Sequence, residues 1–97
     1  MREFEIKPEL HKQLLKLSKK DKTKYEAIIK KINEVVNSHN IEHYKNLQHN
    51  LKNLKRVHIG HFVLVFSYDK TKNYIIFEDY DHHDNIYNKK KKPKTSF

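Results

Sequence analysis

Arg56 and His58 alternate in the run Lys-Arg-Val-His-Ile at positions 55–59, and His82, His83 and Tyr87 close the run Asp-Tyr-Asp-His-His-Asp-Asn-Ile-Tyr at 79–87. Imidazoles titrate near neutral pH and can take or give a proton, and a phenol can relay one. Guanidinium and ammonium groups hold phosphate oxygens. These types, carried on strands, suit proton transfer beside a bound polyanion such as RNA. The candidate catalytic residues are therefore Arg56, His58, His82, His83 and Tyr87. Lys52, Lys55, Arg56 and His61 are the candidate contacts to the nucleic-acid backbone.

Other chemistries have little to work with. Cysteine is absent, which removes disulfides, thiolate zinc sites and a thiol nucleophile together. Asp79, Asp81, His82, His83 and Asp84 are suitable metal-ligand types, but adjacent strand residues point to opposite faces, so few of the five can converge. The expectation is no metal and no cofactor. Asp81 and Asp84 can instead orient the imidazoles between them. Phe66, Tyr74, Phe77 and Tyr80 are expected to pack the core and sheet rather than stack on bases.

Charge points the same way. Twenty-one Lys and Arg face twelve Asp and Glu, a net charge of +9, with a pI near 9.7. Such a field concentrates phosphate polymers and speeds encounter with them. The N-terminal run Met-Arg-Glu-Phe-Glu-Ile-Lys lacks the apolar stretch of a signal peptide, and no segment could span a bilayer. A cytoplasmic protein with no membrane partner is expected, with one domain over 1–88. The lysine block in 89–97 reads as a disordered tail that adds salt-sensitive affinity for RNA.

The elements that must position these residues follow from periodicity. Glu3 to Lys7 alternates as a short strand, and Pro8 fits the first turn of a helix carrying Leu10, Leu14 and Leu17. Ser18 to Asp21 reads as a break, with Asp21 capping a second helix. That helix buries Tyr25, Ile28, Ile29, Ile32, Val35 and Val36. Residues 37–40 turn. The segment from Ile41 to Leu54 has no clear period, but Ile41, Tyr44, Leu47, Leu51 and Leu54 can anchor it. Three strands follow. In the first, Val57 and Ile59 share one face while Arg56 and His58 share the other; 62–68 is apolar on both faces, as a central strand should be. Residues 69–73 form a hairpin loop, and a strand returns antiparallel from Tyr74. The result is an α+β domain in the order β-α-α-β-β-β, an N-terminal strand and helical hairpin followed by an antiparallel meander, with the helices packed on one sheet face. If the last strand keeps its odd residues on the open face beyond Phe77, His83 points into the site; otherwise His82 does.

In this frame the chain resembles the RelE/ParE superfamily of type II toxin–antitoxin toxins, in its RelE-like branch. Residues 56–66, Arg-Val-His-Ile-Gly-His-Phe-Val-Leu-Val-Phe, are similar to the family's basic-x-basic-x-Gly-x-Tyr-Arg-Val-Ile-Tyr run. Residues 81–87, Asp-His-His-Asp-Asn-Ile-Tyr, are similar to its Gly-His-Arg-x-x-Val-Tyr run. The resemblance implies a metal-free, ribosome-dependent mRNA endonuclease that helps a 2′-hydroxyl attack the neighbouring phosphodiester. It also implies silencing by a cognate antitoxin, for which an acidic, partly disordered segment would suit this charge. Arg56 and His58 fall at the family's two basic strand positions, His82 and His83 at its His-Arg pair, and Tyr87 at its terminal tyrosine. Val63 and His83 stand where the family has arginines. A relative changed in this way can act instead by binding, on the ribosome or, as in the ParE branch, on DNA gyrase.

Overall fold

The computed structural model describes residues 2–47 and 54–86. Lys52, Tyr87, the tail 89–97 and the end of the single-domain span lie outside the described residues. The order is β1 (Glu3–Ile6), α1 (Pro8–Lys20), α2 (Lys22–Val36), a 3-10 helix (Ile41–His43), β2 (Lys55–Ile59), β3 (Phe62–Asp69) and β4 (Tyr74–His82). Pro8 opens α1, where its missing N–H leaves nothing unsatisfied. The helix runs through Ser18, against the expected break there, and the Ser18 hydroxyl is satisfied within it by donating to the Leu15 carbonyl at 2.7 Å. Asp21 then separates the two helices. Its carboxylate accepts from the Lys24 N–H at 3.1 Å and caps α2.

The four strands form one sheet in the order β1-β4-β3-β2, with the meander antiparallel and β1 parallel to β4. Both helices cover one face. Leu10, Leu14, Ile28, Ile32, Val35 and Val36 pack there against Leu64, Phe66, Ile75, Phe77 and Tyr80. Ile41 joins that core, and Leu47 N–H donates to the Leu54 carbonyl at 2.9 Å, so the segment before β2 returns along the sheet edge. On the other face a small cluster of Leu47, Val63, Val65 and Ile86, flanked by Leu54, covers the middle of β3. That explains why β3 is apolar on both sides.

One irregularity decides which residues of β4 face the helices. Val65 pairs with Asp79 and Phe66 with Phe77, leaving Glu78 as an extra residue in β4. Glu78 accepts from the Ser67 hydroxyl and from Lys7, each at 3.2 Å. Because of the bulge, Phe77 and Tyr80 both lie in the helix-side core although they are three residues apart. Asp79 and Asp81 pair with Val65 and Val63 and share their face, away from the helices. The strand ends at His82, and residues 83–86 form one helical turn that lands Ile86, fully buried, on Val63 and Val65. Among the described residues, no helix is long and apolar enough to cross a membrane.

Candidate active site

The open end of the sheet gathers three of the expected residues. Arg56 and His58 project from β2 on the face away from the helices, opposite Val65 and Val63. An Arg56 Nη1 donates to His58 Nδ1 at 3.2 Å, so that nitrogen holds the lone pair and the neutral ring carries its hydrogen on Nε2. His83, at the start of the helical turn, lays its ring parallel to that of His58, with centroids 5.8 Å apart and planes 21° from parallel. Burial pushes the His58 imidazole below its ordinary value of 6.5, and the Arg56 guanidinium and His83 push it the same way. His83 Nδ1 lies 3.5 Å from the Asp84 carboxylate, which helps orient the ring, and its main-chain N–H donates to the His61 carbonyl at 3.1 Å.

His82 is elsewhere. Its ring meets the Phe62 ring edge to face at 5.7 Å and runs parallel to His61 at 6.4 Å. Phe62 stacks in turn on Tyr80 at 5.1 Å, and Lys24 Nζ sits 3.7 Å above the Phe62 ring. The adjacent histidines are thus divided, His83 with His58 and His82 with His61. Alternation separates them, and the bulge at Glu78 decides the sides, setting Tyr80 and His82 toward the helices and Asp79, Asp81 and His83 on the other face. Sequence periodicity carried no mark of it.

Lys55 is held by the loop before it: Nζ donates to the Tyr44 carbonyl and to Asn46 Oδ1, both at 3.2 Å. It therefore fastens that loop to β2. Phe66, Phe77 and Tyr80 are core residues, at most 2% exposed. Burial, followed by Asp21 and Asp81, pushes the Tyr80 phenol up, so it stays protonated. Tyr74 donates its hydroxyl to Glu5 at 2.8 Å and ties β1 to β4. Asp81 accepts from the His82 N–H at 2.7 Å and from Asn85 Nδ2 at 3.2 Å. Among the described residues, no three histidine, aspartate or glutamate side chains converge to hold a metal ion. Asn85 carried no role in the sequence, although its four-residue spacing from Asp81 is the available signal for a tied turn.

An imidazole held in its neutral form beside a guanidinium can take a proton from a hydroxyl while the cation meets negative charge on a phosphate. A second imidazole stacked on the first can give a proton to a leaving oxygen. No family model matches the chain. It is 56% identical over 92 residues to a Methanocaldococcus jannaschii protein named "Putative toxin RelE4", covering 94% of this chain and 96% of that one. An uncharacterized protein of Methanosarcina mazei is 48% identical over 85 residues, 87% of this chain and 96% of that one. Two solved structures share the fold. The Staphylococcus aureus YoeB–YefM complex gives a TM-score of 0.66 at 17% identity, over 86% of this chain and 98% of that one. The isolated Escherichia coli RelE toxin gives 0.65 at 18%, over 93% and 95%. With more than half its residues shared with a RelE protein along almost the whole of both chains, this chain belongs to the RelE-like family of toxins.

Proposed function

We propose that the chain is the toxin of a type II toxin–antitoxin module and cuts mRNA on the ribosome without a metal. The observation that carries this reading is the parallel His58–His83 pair with Arg56 bonded to His58. In the proposed step Arg56 turns from His58 Nδ1 to the phosphate, and the freed Nδ1 lone pair takes the proton of a ribose 2′-hydroxyl, whose oxygen attacks the adjacent phosphorus. The bond from phosphorus to the 5′-oxygen breaks, and His83 gives that oxygen a proton. The products are a 2′,3′-cyclic phosphate and a free 5′-hydroxyl. Arg56 meets the charge that builds on the equatorial oxygens, the contribution that usually dominates at such centres. Tyr87 is assigned to orienting the phosphate, since a phenol with a pKa near 10 is a poor base at neutrality. Lys52 and His61 are assigned to backbone contacts, and the ribosome supplies the rest of the RNA surface.

A cognate antitoxin with an acidic segment that folds on binding would match the +9 charge. Inducing the protein without that antitoxin and mapping 5′ ends on translated mRNA tests the nuclease reading. Growth arrest with new ends inside reading frames is expected. Confirmed expression with neither would defeat it.

One feature favours a second reading, a toxin that acts by binding alone. Val63 is fully buried beneath Ile86, so this position supplies no phosphate-holding cation. Growth arrest that persists in folded His58→Ala and His83→Ala variants would select that reading.

A further inference from the structure

We infer that His82 is a positioning residue: it caps the helical turn 83–86 and thereby holds His83 against His58. The inference rests on the proposed pairing of those two rings. His82 is the last residue of β4, and the turn begins at the next position. Its Nδ1 accepts from the main-chain N–H of Asp84 at 3.3 Å. That is the bond an N-terminal cap makes to the second residue of a helix, satisfying a donor with no partner inside the turn. The accepting nitrogen carries no proton, so the neutral ring is fixed with its hydrogen on Nε2.

The rest of the turn is fastened from both sides. Asp81 accepts from the His82 N–H and from the side chain of Asn85, across the base of the turn. The His83 N–H donates to the His61 carbonyl, and Ile86 is buried on Val63 and Val65. The His82 ring is kept in place by packing, edge-on to Phe62 and parallel to His61. It lies on the side of the sheet opposite His58, which explains how a residue next to His83 can serve the site without reaching it. A one-turn helix is too short to persist on its own. Its orientation, and with it the His58–His83 stack, therefore depends on these fastenings.

The test uses atom position within the side chain. Asn places its Oδ1 acceptor close to where histidine has Nδ1, and Asn is a preferred cap. Gln extends its polar atoms toward the position of Nε2 and does not reproduce the cap. His82→Asn, His82→Gln and His82→Ala are compared by NMR on the free protein, reading amide exchange at Asp84 and the titration of His58. The inference predicts that Ala and Gln speed Asp84 exchange about fivefold, the size a lost cap gives, and let the His58 titration rise toward its ordinary value. Asn keeps both near wild type. Cleavage on programmed ribosomes, where present, should follow the same order, with Asn restoring most of what Ala loses. Two results overturn the inference: Asn behaving like Ala in the free protein, or Asn preserving both NMR readouts while cleavage is still lost, which would make the imidazole itself the working group. If no form of the protein cleaves RNA, the nuclease reading fails, and the NMR comparison still decides the cap.

Discussion

At the scale of single residues, desolvation and Arg56 together lower the proton affinity of His58. Desolvation first, then the guanidinium bonded to Nδ1 and the neighbouring His83, disfavour the imidazolium, so the neutral form of His58 prevails at neutral pH. By NMR, His58 should titrate below 6.5, and Arg56→Ala should move it upward. The sign for activity follows from the base role: the rate falls as pH drops through the lowered His58 value, so the acid limb lies below the ordinary imidazole range and shifts up in Arg56→Ala. For stability, the folded chain binds fewer protons at His58 than the unfolded chain. Stability is therefore intact above 6.5 and lost as pH falls from there through the depressed value. Replacing His58 with Gln should flatten that part of the pH–stability curve, as measured by denaturant midpoints. An unchanged curve would mean that the site does not depress the histidine.

At the scale of elements, the site depends on a bulge and a turn. The helical stripes, the capping Asp21, the alternation in β2 and the meander were legible in the sequence because each rests on local periodicity or a local hydrogen bond. That His82 and His83 face opposite ways was legible too, but which of them enters the site was not, because Glu78 shifts the register of β4 and nothing in the string Phe-Glu-Asp-Tyr marks where an extra residue sits. The parallel pairing of β1 with β4 was equally hidden, since parallel partners are chosen by the packing of the intervening helices. The second apolar cluster was half visible: β3 reads as buried on both faces, but Ile86 gives no local sign that it closes over Val63. That cluster yields a prediction. Ile86→Ala removes a fully buried side chain and should cost about 2–5 kcal/mol in denaturant unfolding. Restoring the family's arginine by Val63→Arg should also destabilise, by on the order of 3–5 kcal/mol, since it forces a charge beneath Ile86. A Val63→Arg protein of unchanged stability would show that the turn opens freely.

For the whole molecule, on the proposed reading, charge governs encounter and the sheet end governs chemistry. A net charge of +9 should make ribosome binding weaken steeply with salt, while the cleavage step on bound ribosomes changes little. Filter binding and single-turnover cleavage across a salt series separate the two; a cleavage step that falls in parallel with binding would contradict this division. Antitoxin association should likewise be fast at low salt and slower near physiological salt. The most direct test of the central claim is single-turnover cleavage of mRNA on programmed ribosomes by the wild type, His58→Ala and His83→Ala. The account predicts cleavage by the wild type, with both variants still binding ribosomes but slowed by about 10²–10⁴-fold, the usual loss when a general base or acid is removed. Wild-type rates from both folded variants, or no cleavage by the wild-type protein, would contradict it.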